Sequence, residues 1–420
     1  MTESKNSSSE TMSRNALSLY DVVIVGAGPG GSATATFLAQ KGVKVLLLDR
    51  AIFPRNKTCG DGLTPRAVAA IERLGVLEQV TDVSQRINYA KVIAPNGKEI
   101  ISSIGEADIA QGAYMLAIPR LELDHILVEN AVASGAILIE GCKVNAIENK
   151  CDGVIVKGSI KRKVHEFHAK YAIIATGANM GLLKKQGFLA NTPKPIIAAR
   201  AYYEDANYDR DFFNFHFNEV TLPGYGWVFP LADNKINVGI GVIPGKSKKQ
   251  HDIKALYHDF ANRPYMKHVL SGATALGEVK SYPIRTDFMT ATLYRERTLA
   301  VGEAAGLTNP LTGEGIDYAL ECAEIAAQQL HEILTTGDNS AQLSNYALAL
   351  HHKFDAIFNF SNQMTKCCLK PFMLNTMVVM AAKRKNLRES LTNIVLGLKE
   401  PPANITVGKI LLKIVKNLKN

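Results

Sequence analysis

Asp21-Val22-Val23-Ile24-Val25-Gly26-Ala27-Gly28-Pro29-Gly30-Gly31 is an apolar, β-branched run that breaks into glycine. It reads as a buried strand and a turn, followed by a helix to about Lys41 and a second strand over Val43–Leu48, together a βαβ unit. The turn has GxGxxG spacing, with glycines at 26, 28 and 31. Small residues there let backbone N–H groups and the N-terminus of the next helix face a pyrophosphate. Asp49 follows Gly26 by 23 positions, at the end of the second strand, where a carboxylate accepts hydrogen bonds from an adenosine ribose. Glycine turns alone are common. Strand, turn, helix, strand and acid in register point to a dinucleotide.

Around this unit, 420 residues suffice for two connected domains and an appendage. Hydrophobic residues make up 47% and charged residues 21%, as in an ordinary soluble enzyme. No apolar run approaches the roughly 18–20 residues that span a bilayer. The Ser- and Asn-rich residues 1–18 lack the apolar stretch of a secretory signal and read as a disordered tail. The six cysteines form no CxxC pair and no His/Cys metal spacing, which argues against a zinc site or a disulfide framework and suits a reducing cytoplasm. The net charge of +9 is localised: residues 366–420 hold 11 Lys/Arg and two Glu, the whole excess. Lysines there interleave with apolar residues and lack the tryptophan or tyrosine that stacks on bases, so an anionic membrane surface fits better than nucleic acid.

The texture divides the chain. Leu121–Ala133 has helical spacing, and Tyr171–Ala175 is an apolar strand ending in Thr176-Gly177. Between about Asn191 and Tyr294 short alternating runs and Pro-Gly turns read as mainly β-structure. Thr298–Val301 reads as a strand and Gly315–Leu334 as a helix. The expected division is a tail over 1–18, a cofactor domain over 19–89, 118–190 and 295–345, a substrate domain over 90–117 and 191–294, and a basic helical region over 346–420.

A second segment narrows the cofactor. Leu299-Ala300-Val301-Gly302-Glu303-Ala304-Ala305-Gly306 is followed by Asn309-Pro310-Leu311-Thr312-Gly313-Glu314-Gly315-Ile316. It resembles the second flavin motif of the FAD-dependent hydroxylase and reductase superfamily, in which a Gly-Asp pair holds the ribityl chain and a Pro-x-x-Gly-x-Gly turn lies against the isoalloxazine. Glu303 stands where aspartate is usual, and a longer carboxylate still accepts hydroxyl bonds. The turn opens a helix at Ile316, whose positive end favours negative charge on a reduced flavin. The bland reading of the same turn is a plain helix cap.

Phe53-Pro54-Arg55-Asn56-Lys57-Thr58-Cys59-Gly60-Asp61-Gly62-Leu63-Thr64-Pro65-Arg66 and Pro223-Gly224-Tyr225-Gly226-Trp227-Val228-Phe229-Pro230 resemble the geranylgeranyl reductase family. The GDGLTPRA, GYGWVFP and NPLTGEGIDYALE runs resemble, more narrowly, menaquinone reductases, and the resemblance covers roughly residues 20–330. It implies an α/β fold: a Rossmann-type FAD-binding domain of the glutathione-reductase/hydroxylase kind, with a mainly antiparallel β substrate domain and a helical C-terminal appendage. It implies that Tyr225 and Trp227 line a lipid tunnel and that Arg120, with Asp124, lies near the flavin. Cys59, Tyr225 and Trp227 are the candidate catalytic residues. The candidate cofactor-binding residues are Gly26, Gly28, Pro29, Gly30, Gly31, Asp49, Arg50, Arg55, Arg120, Val144, Gly302, Glu303, Pro310, Gly313, Gly315 and Ile316. No metal is expected.

The sequence departs from archaeal lipid reductases at Cys59-Gly60-Asp61, where they tend to have Cys-Gly-Gly. Thr176 stands in place of the acid that aromatic hydroxylases use beside the flavin. Flavin halogenases have WxWxIP where this chain has Tyr225 first. Bland roles stand beside the sharp ones: Cys59 and Trp227 also serve as packing residues, and Arg55 and Lys57 as a solvated loop. The implied reaction is saturation of a carbon–carbon double bond in a polyprenyl chain, a geranylgeranyl group or a prenyl-quinone tail. The alternative is a monooxygenase or halogenase acting on an aromatic or polyketide substrate; a third reading keeps the fold for lipid binding without flavin. No second GxGxxG appears, so the electron donor is open between NAD(P)H and ferredoxin. Leu411, Ile414, Val415 and Leu418 against Lys409, Lys413 and Lys416 make a basic amphipathic helix. With the apolar run Phe372–Met380, it suggests peripheral contact with the inner face of a membrane through 366–420.

Overall fold

The computed structural model describes residues 20–104, 109–110, 112–243, 252–337 and 339–401. The tail at 1–18 and the amphipathic segment at 409–418 lie outside them. The opening strand β1 (Tyr20–Val25) is parallel to β2 (Val45–Leu48), with Val22 opposite Val45, and helix α1 (Pro29–Ala39) joins them. Both strands are buried along their apolar runs, as a parallel sheet covered by helices requires.

The sheet continues in parallel through β8 (Ile137–Ile139) beside β2, and through β11 (Lys163–Ile174) and β19 (Thr298–Ala300) on the other side of β1; β18 (Tyr294–Arg295) closes the edge antiparallel to β19. Strands β9 (Lys143–Asn149) and β10 (Val154–Ile160) extend it through an antiparallel pairing with β11. Against α1 pack α4 (Arg120–Ala133) and α8 (Ile316–Thr336), so three segments distant in sequence share one core. Helix α2 (Pro65–Arg73) starts at Thr64, whose hydroxyl accepts from the Ala67 N–H, with Pro65 in the first turn. It packs on α8; α3 (Leu77–Asp82) follows it, and α5 (Met180–Lys185) lies beside β9.

The second sheet runs in the order β16 (Thr274–Ala275), β12 (Ile196–Glu204), β15 (Lys235–Val242), β14 (Gly224–Pro230), β13 (Phe212–His216), β5 (Tyr89–Ile93) and β6 (Glu99–Ser103), and β17 (Lys280–Ile284) also pairs with β12. Only β13 and β5 are parallel within it. Helices α6 (Ile253–Ala261) and α7 (Pro264–Val269) bury Tyr257, Phe260 and Met266 against it. A small sheet of β3 (Gly62–Leu63), β7 (Met115–Ala117) and β4 (Gln85–Ile87) lies in the connection between the two large sheets.

The C-terminal helices are α9 (Leu343–Cys368), α10 (Pro371–Lys383) and α11 (Lys385–Val395). Helices α10 and α11 pack on β6. Leu374, Val378 and Ala381 are buried, so the apolar run expected to meet a membrane turns this side inward; only Phe372, 75% exposed, points away. An apolar helix face removed from water stabilises at about 25 cal/mol per Å² whether lipid or protein covers it, and here the face packs on β6 and borders an internal cavity.

Candidate active site

One cavity of about 950 Å³ runs between the two large sheets. At one end stands the glycine turn. Gly26, Gly28, Pro29 and Gly30 line it; Gly31 does not, because a Cβ there would sit 1.8 Å from the Gly26 carbonyl oxygen. Gly31 is thus needed for the turn to close, and Gly26 (φ 108°) for its conformation. The Asp49 carboxylate accepts from the Ala27 N–H at 2.7 Å and the Ala51 N–H at 2.8 Å, so it also holds the turn that it borders. Helix α1 begins at Gly28 with no side-chain cap and no acid in its first turn, which leaves its N–H groups to an anion.

Two arginines face this turn. Arg120 is bidentate to Asp124 at 2.6 and 2.7 Å, and Arg55 meets the same carboxylate at 2.9 Å. Two guanidiniums on one fully buried carboxylate leave a surplus positive charge, and a Cβ at Gly28 would lie 3.4 Å from Arg55 Nη2. Glycine floor, free helix end and surplus charge fit a pyrophosphate. Asp49, Arg50, Cys142 and Val144 line the same end.

Gly302 (φ 60°) and Glu303 follow on the wall. Glu303 Oε1 accepts from the Arg285 N–H at 3.2 Å and Oε2 pairs with Lys57 at 3.6 Å, so the longer side chain is held while it borders the cavity. Next comes the turn of Thr312, Gly313, Glu314 and Gly315, which opens α8 at Ile316. Pro310 does not line the cavity; its carbonyl accepts from the Thr365 hydroxyl at 3.1 Å behind the turn.

Opposite stands β14. Tyr225 donates its hydroxyl to the Thr312 carbonyl, joining the second sheet to the turn, and burial holds that phenol above its ordinary range. Tyr225, Trp227 and Phe229 succeed one another at 5.9 and 6.3 Å between ring centroids. Trp227 faces Gly239 across the strand pair, where any Cβ would meet its ring at 2.1 Å. Its indole N–H donates to Asn237 Oδ1 at 2.9 Å, and Asn237 Nδ2 donates to the Cys59 carbonyl at 2.8 Å and to Asp61 Oδ2 at 2.7 Å. Cys59, Tyr225 and Trp227 therefore do meet on one wall.

Sequence alone gave no role to Asp61, Tyr202, Asn237 and Arg200, which make a largely buried polar cluster at that wall, with Asp61 bordering the cavity. Burial pushes Asp61 up to about 6 against the pull of the Tyr202 hydroxyl and Arg200. A usable signal was an acid placed between two glycines, Gly60 and Gly62, where the family pattern has none. The cavity ends in apolar side chains from the C-terminal helices, among them Met364, Leu374, Met377, Val378, Leu391 and Val395.

Residues 19–352 match the family described as the FAD binding domain. The chain belongs to this family. The menaquinone reductase of Mycobacterium tuberculosis is 32% identical over 74% of this chain and 76% of its own length. The digeranylgeranylglycerophospholipid reductase of Methanococcus vannielii is 27% identical over 94% of this chain and 95% of its own. A solved structure of a geranylgeranyl bacteriochlorophyll reductase-like protein from Thermoplasma acidophilum shares the fold, with a TM-score of 0.76, 21% identity, and coverage of 96% and 98%. The cofactor of this family member is FAD, and the glycine cradle with its two arginines suits it. It is an FAD-dependent oxidoreductase.

Proposed function

We propose that this protein saturates a carbon–carbon double bond in a polyprenyl chain, a geranylgeranyl group or a prenyl-quinone tail. The observation that carries the reading is the cavity's continuity: one space leads from the glycine cradle past the aromatic wall to an apolar end between α9, α10 and α11. A long apolar channel matches a flexible isoprenoid; a monooxygenase or halogenase substrate, a compact ring, needs no such extension. The names of the two relatives support the same class.

FAD supplies hydride in its reduced form when bound. Gly26, Gly28, Pro29 and Gly30, with Arg55 and Arg120, are placed to hold its pyrophosphate, with Asp49, Arg50 and Val144 at the adenosine end. Gly302 and Glu303 serve the ribityl chain, and Gly313, Gly315 and Ile316 the ring. Tyr225 and Trp227 hold the alkene in a dry space, because an isolated alkene accepts hydride poorly and needs close positioning as charge develops. The electrons reach FAD from NAD(P)H or ferredoxin.

The test is anaerobic turnover of dithionite-reduced protein with a prenyl quinone, read by mass spectrometry. The expected product has gained two hydrogens. Conversion that occurs only with dioxygen refutes the reductase reading.

Among the described residues no helix is long and apolar enough to cross a membrane. We propose peripheral contact with an anionic membrane through residues 366–420, supported by exposed Phe372 between Lys370 and the Lys383-Arg384-Lys385 run. Co-sedimentation with anionic vesicles and not with neutral ones is expected; equal binding to both, or to neither, refutes it.

A further inference from the structure

We infer that Glu314 is the proton donor for the saturation proposed above, an inference that rests on that reading. Its position is fixed by the turn. The Glu314 N–H donates to Thr312 Oγ1 at 3.3 Å, and its carbonyl accepts from the Asn309 N–H at 2.8 Å. A Cβ at neighbouring Gly313 would lie 3.5 Å from the Tyr225 hydroxyl, so the turn abuts the aromatic wall. Glu314 is half-buried and borders the cavity there.

The charges around it account for the proton. Two cations, Arg66 and Lys353, face this corner from α2 and α9. Glu321 meets Arg66 at 2.8 and 3.0 Å and Lys353 at 3.0 Å. Asp317, 3% exposed, accepts from the Thr64 hydroxyl at 3.5 Å; burial pushes it up to about 6 against the field of Arg66, which leaves it ionised at neutral pH. Two carboxylates match two cations. A third carboxylate has no counter-charge, so Glu314 keeps its proton. Burial and the neighbouring Asp317 both raise Glu314 well above the ordinary carboxylate range, outweighing Arg66 and the Thr312 hydroxyl.

The other acids along the cavity do not meet these conditions. Asp49 is held by two backbone N–H groups, and Glu303 by Lys57 and the Arg285 N–H. Asp61 borders the cavity but is 0% exposed, its Oδ2 held by the Tyr202 hydroxyl and Asn237 Nδ2. Burial also raises Asp61 and Asp317, which border the cavity too, but both are all but sealed, whereas Glu314 is partly exposed to it.

In the step, the alkene π bond breaks and two C–H bonds form. Hydride, carrying the electron pair from reduced FAD, joins one carbon. The Glu314 O–H bond breaks and its proton joins the other, leaving Glu314 as carboxylate and FAD oxidised. Solvent returns the proton at the corner where Lys353, its side chain 42% exposed, pairs with Glu321.

The test uses FAD-loaded protein with Glu314→Gln and Glu314→Asp. An infrared difference spectrum at neutral pH is expected to show a protonated-carboxyl band that Glu314→Gln removes, whatever the activity. Saturation by Glu314→Gln is expected to fall about 100-fold or more, with FAD content and dithionite reduction unchanged. The wild-type rate falls as pH rises through the Glu314 pKa, and in Glu314→Asp that fall moves to lower pH. Absence of the band, or a wild-type rate in Glu314→Gln, overturns the assignment. If Glu314→Gln purifies without FAD, Glu314→Asp decides, and an unmoved pH dependence overturns it. Wild-type protein that saturates no prenyl chain removes the function and the donor role together, while the band still reports the charge on Glu314.

Discussion

The Tyr202 hydroxyl donates to Asp61 Oδ2 at 2.6 Å, tying the loop after Cys59 to strand β12 over 141 residues of sequence. Asn237 donates to the same oxygen, while Asp61 Oδ1 has no partner. The arrangement suits a carboxyl whose proton rests on the free oxygen.

Asp61 therefore couples stability to pH. Burial raises it from an ordinary 3.8 to about 6, so the folded chain binds this proton more tightly than the unfolded chain does. The favourable contribution is complete below the unfolded value and is lost as pH rises to about 6, on the order of 3 kcal/mol in all. Asp61→Asn mimics the protonated form, and asparagine tolerates the positive φ of 68°. Its melting temperature is expected to match wild type near pH 4 and to exceed it at pH 7; a difference that stays constant across that range contradicts the coupling.

Neighbouring glycines of the cradle are expected to behave differently. Gly31→Ala puts a Cβ on the Gly26 carbonyl and should unfold the turn, with loss of bound FAD and a lower melting temperature. Gly30→Ala meets Ala319 Cβ at 3.6 Å, an ordinary contact, and should keep the fold while weakening FAD through crowding at the phosphates. Flavin absorbance per protein, read beside the melting curves, separates the two; equal melting would refute the distinction.

Asp124→Asn leaves Arg55 and Arg120 sharing a neutral amide. Breaking a buried ion pair from one side costs about 3–5 kcal/mol, because the remaining charge stays desolvated. Bound FAD, bringing its own negative charge, should recover part of this, so the melting temperature gained on adding FAD is expected to be larger than in wild type. A smaller gain would mean that the arginines do not face the pyrophosphate.

The βαβ unit was legible because an apolar run, a glycine turn and a terminal acid are all local signals, and β1, α1 and β2 lie within a few residues of the expected bounds. The polar cluster was not, since Asp61 meets partners 141 and 176 residues away and spacing carries no trace of them. The turn motif gave Glu314 no role of its own for the same reason: its charge state depends on burial, on Asp317 and on Arg66, which another helix supplies. Gly31 and Pro310 fit the cofactor pattern, yet they shape their turns from behind. Hydropathy marked the Phe372–Met380 run as apolar but could not tell a membrane from a cavity as its cover.

That run supplies the last expectation. Val378, 5% exposed, lines the apolar end of the cavity on α10, far along the chain from the glycine cradle that opens it. Val378→Phe adds bulk where an extended prenyl chain would reach, at an overpacking cost of about 1–3 kcal/mol. If the channel takes the chain lengthwise, a short prenyl substrate should be reduced with little change in KM, while a long one should lose kcat/KM by tenfold or more. A loss equal for both lengths would trace to general damage, and no loss for either would mean that the chain lies elsewhere. Comparing two lengths in one variant cancels the stability term, since the same folded fraction meets both substrates.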